Sequence, residues 1–109
     1  MNQLNEKRQF NRYSLNIQIK NSQDIHVQDN QVKDISVNGL FVQSSQKVNI
    51  GDAISLNLGI PDQVSPIFAR GTVARIDQDG FGIQFEPADP MIDFTGTIYS
   101  YFKSLDLPV

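Results

Sequence analysis

The stretch YSLNIQIK, residues 13–20, decides the fold class, because apolar and polar residues alternate through all of it. Its odd-numbered residues are apolar and its even-numbered residues are polar. Successive side chains of a β-strand point to opposite faces, so this period of two predicts a strand with one buried and one solvated face. The folded part of the chain therefore begins with a strand.

Further apolar runs follow, separated by residues typical of turns. We expect five more strands, at residues 25–37 (with a turn or bulge at 29–30), 40–42, 54–60, 67–76 and 81–85. The pairs that predict turns are Asn21-Ser22, Asn38-Gly39, Gly51-Asp52, Pro61-Asp62 and Asp79-Gly80. Because both residues of Asn38-Gly39 tolerate a positive φ, this pair is a strong turn signal.

The last segment changes to a helical period. Asp89 is a candidate N-cap, and Pro90 suits the first helical position. The apolar residues then recur three or four apart, at Met91, Phe94, Ile98, Phe102 and Leu105, and Pro108 is expected to stop the helix. Together the elements predict an all-β fold, a small antiparallel six-stranded β-barrel with one C-terminal α-helix, in a single domain at 13–109 that is preceded by a flexible basic arm at 1–12.

Composition excludes several classes of function. The chain has 109 residues, a net charge of −3, no cysteine and a single histidine, His26. These counts exclude a disulfide scaffold, a thiolate metal site and a multi-histidine metal site. The acidic balance argues against nucleic-acid binding, and no apolar run reaches the length of a membrane-spanning helix, so we expect a cytoplasmic protein without membrane insertion. No nucleophile is paired with a base, so we expect no enzyme.

Two minor motifs are interpreted as structural. His26 lies between apolar residues and is expected on the solvent face of a strand. The sequence DQDG at 77–80 resembles the start of a calcium loop but lacks the later acidic ligands, so we interpret it as a turn.

Two polar clusters remain as candidates for a binding site. Arg8 and Arg12 lie four apart in the arm, and Asp34 and Ser36 lie two apart, on one face of a strand, before Gly39. Arginine matches phosphate oxygens and guanine edges, and a carboxylate can accept two hydrogen bonds from guanine, so an anionic guanine nucleotide would suit both clusters. The alternative is that the arginines are only solvated charge and that Asp34 and Ser36 only satisfy a turn.

The order and spacing of the clusters resemble the PilZ domain family. The pattern R-x-x-x-R ends at Arg12, and D-x-S-x-x-G begins 22 residues later at Asp34. In addition, RGTVAR at 70–75 is similar to a later strand of that family, and GFGIQF at 80–85 resembles its closing hairpin. The resemblance covers nearly the whole chain.

The resemblance implies a six-stranded β-barrel that acts as a receptor for the bacterial second messenger cyclic di-GMP. Carried over to this sequence, Arg8 and Arg12 would contact phosphates and guanines, and Asp34 and Ser36 would contact a guanine edge and neighbouring polar groups. The turn that follows would contain Asn38 and be kept by Gly39.

Two further positions bear on the ligand. Lys7 precedes the arginine pair where an arginine in relatives accompanies a stacked pair of ligands, so one or two ligands per protein are expected. Arg75 occupies the neighbourhood in which some relatives carry an aromatic residue that stacks on a base.

The expected function is that of a receptor and adaptor in second-messenger signalling, in processes such as motility or biofilm formation. Ligand binding is expected to order the arm and to alter a surface that contacts an unknown protein effector, with the receptor a monomer or weak dimer. The alternative is a PilZ-like interaction module of a pilus or motility apparatus that binds no nucleotide.

Overall fold

The computed structural model of the chain describes residues 10–26, 31–61, 63–86 and 94–109. Six strands and one helix follow one another: β1 (Gln18–Asn21), β2 (Gln31–Ser36), β3 (Gly39–Gln43), β4 (Ala53–Gly59), β5 (Ile67–Asp77), β6 (Gly80–Phe85) and α1 (Phe94–Ser104). All neighbouring strands are antiparallel, in the order β1-β4-β5-β6-β3-β2. The sheet curls into a half-barrel with a C-terminal helix, and this confirms the predicted fold class.

The first strand is shorter than predicted, because the segment 13–20 serves both edges of the sheet. Tyr13 exchanges two backbone hydrogen bonds of 2.9 Å with Ile35 of β2, whereas β1 pairs with β4. Between them the chain bends at Asn16, where the Ile17 N–H donates to the Leu15 carbonyl at 2.8 Å. One continuous segment thus spans the gap between the two edge strands of the curled sheet.

The second predicted strand begins too early. Ile25 is buried, but it lies in a bend in which the Ser22 hydroxyl accepts from the N–H groups of Asp24 and Ile25. His26 is exposed as predicted, in a loop rather than a strand. The predicted turn or bulge at 29–30 lies outside the described residues.

The Asn38-Gly39 turn has a different geometry from the one predicted. Ser36 pairs with Gly39, so the two turn residues are Val37 and Asn38. Neither Asn38 nor Gly39 has the positive φ that the sequence predicted, and Asp106 is the one described non-glycine residue that does have a positive φ. Gly51, by contrast, has φ 93° and gives the Gly51-Asp52 turn the positive φ that glycine adopts without strain.

The core fills the concave face of the half-barrel. The best-formed strand, β4, buries Ile54, Leu56 and Leu58 in strict alternation. From α1, Ile98 and Phe102 enter the same core with no exposed surface. Burial of this kind stabilises the fold by roughly 1.5–3 kcal/mol for each large apolar side chain.

The C-terminus of the helix differs from the prediction. The helix ends at Ser104, before Pro108, and Asp106 takes a left-handed conformation with φ 59°. This end leaves Leu105 43% exposed, so it is not the core residue that the helical spacing predicted, and Leu107 packs against the core instead. The predicted cap at Asp89-Pro90 lies outside the described residues. No helix in the described part of the chain is long and apolar enough to span a bilayer.

Candidate functional site

The two polar clusters of the sequence meet in the fold at an ion pair. An Arg12 guanidinium N–H donates to Asp34 Oδ1 at 3.2 Å, across 22 residues of sequence. The backbone bridge between Tyr13 and Ile35 brings the two side chains together, because each is the neighbour of one bridging residue. The side chains remain 27% and 22% exposed, so the pair is accessible to a ligand.

Ser36 holds the turn that follows β2. Its hydroxyl donates to Asn38 Oδ1 at 2.6 Å and accepts from the Asn38 N–H at 3.2 Å. Ser36 is 2% exposed, and its Oγ also lies 3.4 Å from the Gly39 carbonyl oxygen. The serine thus fixes the position of the Asn38 amide, which is exposed.

An open cavity of about 340 Å³ lies beside this turn. Its lining comes from the arm, the β2–β3 turn, β3, β5 and β6, and consists of Arg12, Asn38, Gly39, Leu40, Ala74, Arg75, Gly82, Ile83 and Gln84. Two guanidinium groups and two side-chain amides are therefore among its walls. Gly39 and Gly82 also line the cavity, and both are buried in the sheet.

A β-bulge gives Arg75 its place in the wall. Val73 pairs with Ile83, but Arg75 pairs with Gly82, so Ala74 is an extra residue on β5. Without the bulge, Arg75 would share the buried face of Val73, since the two are separated by two positions. The bulge turns Arg75 to the convex face, where its guanidinium lies 5.1 Å from the centroid of the Phe41 ring.

The structure brings most of the predicted site residues together. Arg12, Asn38, Gly39 and Arg75 line the cavity, and Asp34 reaches it through its ion pair with Arg12. The hydroxyl of Ser36 is engaged in the turn. Lys7 and Arg8 lie outside the described residues.

Sequence reasoning missed five residues of the cavity wall, of which Leu40 and Ile83 are also core residues. Gln84 is an exposed polar residue between buried Ile83 and Phe85, and that alternation could have pointed to it. Gly82 and Ala74 carry no comparable signal, because their roles depend on the register of β5 against β6.

The two minor motifs have local partners. In the DQDG sequence the Asp79 N–H donates to Asp77 Oδ1 at 2.9 Å, which is the hydrogen bond of an Asx turn. The His26 N–H donates to Gln46 Oε1 at 3.1 Å. Within the described ranges no three acidic, histidine or cysteine residues cluster in a way that could hold a metal ion.

Comparison with known proteins identifies a family. No curated protein matches the chain. The family model of the PilZ domain matches residues 6–93, a range that contains both arginines of the arm and every described residue of the cavity wall. On this match and on its curled six-stranded sheet, the chain belongs to the PilZ domain family.

Proposed function

We propose that the chain is a cyclic di-GMP receptor that passes its signal to a protein partner. PilZ domains in general are binding and adaptor modules that respond to this nucleotide. One observation carries the proposal: Arg12 and Arg75, 63 residues apart in sequence, line a single open cavity together with the exposed side-chain amides of Asn38 and Gln84. Cations beside side-chain amides suit a ligand with anionic phosphates and hydrogen-bonding bases.

The chemistry of the wall fits the parts of the nucleotide. Arg12 has five N–H donors, and one hydrogen bond to Asp34 leaves others for a phosphate or for the Hoogsteen edge of guanine. Asn38 and Gln84 each offer a carbonyl acceptor and an amide donor, which suit the mixed edge of a guanine. Charge-assisted hydrogen bonds contribute roughly 1.5–3 kcal/mol each, so four of them are comparable with the roughly 8 kcal/mol of a micromolar complex.

The finer parts of the proposal rest on the sequence. Lys7 and Arg8 would add phosphate contacts from the arm, while Asp34 would bind a guanine edge and Ser36 would place Asn38. We keep one ligand and a stacked pair as alternatives, because Lys7 has the charge of the arginine in relatives but not its planar group. We further propose that binding orders residues 1–12 and so changes the surface offered to the partner.

Calorimetric titration with cyclic di-GMP tests the proposal. The wild-type chain should bind with micromolar affinity or tighter, and Arg12→Ala should weaken binding at least tenfold. Arg70→Ala is the matched control, because Arg70 is an exposed arginine of β5 that does not line the cavity. The control should bind like the wild type, and the stoichiometry gives the number of ligands.

Three results would contradict parts of the proposal. Absence of heat and of thermal stabilisation at millimolar nucleotide would overturn the receptor function and leave the ligand-free interaction module. Equal losses in Arg12→Ala and Arg70→Ala would mean that general charge, not the cavity, binds the nucleotide. NMR relaxation of residues 1–12 tests the ordering: unchanged relaxation on saturation with ligand would refute it.

A further inference from the structure

Phe41 is an aromatic residue on the convex face of the sheet. Its neighbours Leu40 and Val42 join the core cluster, whereas Phe41 does not, and the register pairs it with Asp34 on one side and Gly82 on the other. Even so, its exposed fraction is only 2%. A ring on the convex face that is this well covered must be covered by other side chains.

Two cations lie over the ring. The Arg75 guanidinium carbon is 5.1 Å from the ring centroid, and the Lys33 Nζ is 5.6 Å from it. Both distances are within the range of cation–π attraction, and the aliphatic stems of both residues can shield the ring from water. Among the described residues neither cation belongs to an ion pair.

The backbone is built to allow this arrangement. β2 has a bulge at Lys33, since Val32 pairs with Val42 and Asp34 with Phe41. β5 has its own bulge beside Arg75, so irregular pairing occurs next to both cations. Gly82 lies between Phe41 and Arg75 in the register, and a Cβ there would come within 3.1 Å of Arg75 Cγ and 3.2 Å of Arg75 Nε.

We propose that Phe41 is a positioning residue of the ligand site, which holds Arg75 at the cavity through the face of its ring, and that Lys33 adds a second cation beside it. This inference rests on the proposed function and deepens it. A free arginine side chain loses rotamer entropy when it binds a phosphate or stacks on a base. Phe41 removes part of that loss, because the side chain is already held in place before the ligand arrives. Lys33 does not line the cavity, but it adds a second positive charge over the same ring, which favours an anionic ligand nearby.

A double-mutant cycle tests the positioning role. Phe41→Leu keeps an apolar side chain but removes the ring face, and it should weaken cyclic di-GMP binding about fivefold. In an Arg75→Ala background the same substitution should change the affinity less than about 1.5-fold, since nothing is left to position. Phe41→Tyr keeps the ring face and should bind within about twofold of the wild type.

Two controls separate positioning from a structural role. Phe68→Leu removes a half-buried ring of β5 that does not line the cavity, and it should leave the affinity unchanged. If Phe41→Leu weakens binding by the same factor with and without Arg75, the ring acts only through the fold, and the proposal is overturned. Thermal denaturation of each variant confirms that it is folded at the titration temperature.

An NMR measurement distinguishes failure of this inference from failure of the receptor function. Protons over a ring face are shielded, so the side-chain resonances of Arg75 should lie upfield in the ligand-free protein and return to ordinary values in Phe41→Leu. Ordinary values in the wild type would overturn the positioning whether or not the nucleotide binds. Upfield resonances in a wild-type protein that binds no cyclic di-GMP would instead overturn the receptor function and, with it, the role of Phe41 in binding.

Discussion

Substitution of Gly39 by alanine tests how closely β3 and β6 approach each other beside the cavity. A Cβ on residue 39 would lie 2.4 Å from the Ile83 carbonyl oxygen and 3.4 Å from Gln84 Cα. Both atoms belong to the backbone of β6, so neither can rotate away, and the paired strands must separate. Overpacking of this kind costs about 1–3 kcal/mol, while alanine regains about 0.5–1 kcal/mol over glycine in a strand. The difference between these two terms leads us to expect that Gly39→Ala destabilises the protein by about 1–2 kcal/mol.

Gly59→Ala is the matched control at the end of β4. A Cβ there would also meet an atom at 2.4 Å, but that atom is Cε of Lys20, an exposed and flexible side chain. Since the lysine can swing into solvent, we expect Gly59→Ala to be neutral or to stabilise by up to about 0.5–1 kcal/mol. The two variants thus share the same change and the same nominal contact distance, and differ only in what must move.

Urea denaturation followed by far-UV circular dichroism measures the difference, since the chain has no tryptophan to report by fluorescence. In a thermal scan, a loss of about 1–2 kcal/mol corresponds to a fall of about 5–10 °C in the midpoint for a domain of this size. If the free energies of unfolding of Gly39→Ala and Gly59→Ala lie within about 0.5 kcal/mol of each other, the close approach of β3 to β6 does not limit the side chain at residue 39.

Two further substitutions test the contacts around the site. Ser36→Ala should lower the free energy of unfolding by about 1–2 kcal/mol in urea denaturation, because the turn at Asn38 loses its buried hydroxyl. Ser14→Ala removes one exposed hydrogen bond and should cost less than about 0.5 kcal/mol. Equal losses in the two variants would contradict the role of Ser36. Tyr13→Phe removes the hydroxyl that donates to the Pro108 carbonyl but keeps the ring. Amide hydrogen exchange should therefore accelerate at residues 105–107, whose N–H groups are hydrogen-bonded, and not in β4. Unchanged exchange there would mean that this bond does not hold the C-terminus.

The regular strands are the part of the fold that the sequence predicts well. In β4, Ile54, Leu56 and Leu58 alternate with polar residues, and the structure buries those three. Likewise Ile35 and Val37 are buried on the opposite face from Asp34 and Ser36, as their spacing predicts. Period two is a reliable guide wherever a strand pairs regularly with both neighbours, because each residue then keeps its side of the sheet.

The segment 13–20 shows where that guide fails. Its apolar residues face the core as predicted, with Ile17 and Ile19 buried, yet Tyr13 pairs with β2 and β1 pairs with β4. The alternation fixes which side chains are buried but does not say which strand each backbone group bonds. The bend at Asn16 depends on the distance between the two edges of the curled sheet, and that distance is a property of the whole fold.

The candidate site depends on the same kind of irregularity. A regular alternation along β5 would place Arg75 on the same face as buried Val73. Along β2 it would place Asp34 on the same face as Val32, which pairs with the core residue Val42. In both strands the extra residue of a β-bulge moves the following side chain to the opposite face, so Asp34 and Arg75 lie on the convex face.

A bulge forms where two strands pack better when one of them has an extra, unpaired residue. Its position depends on both strands and cannot be predicted from the sequence of either strand alone. Gly82 opposite Arg75 provides the necessary space, but a single glycine in a strand is equally typical of a tight bend or of a close backbone approach without a bulge. A motif can therefore indicate that Arg12 and Asp34 belong to a site, whereas the place of Arg75 and the role of Phe41 follow only from the register of four strands. The places of Arg75 and Phe41 thus depend on how the strands pair in the folded protein, and the sequence motif does not contain them.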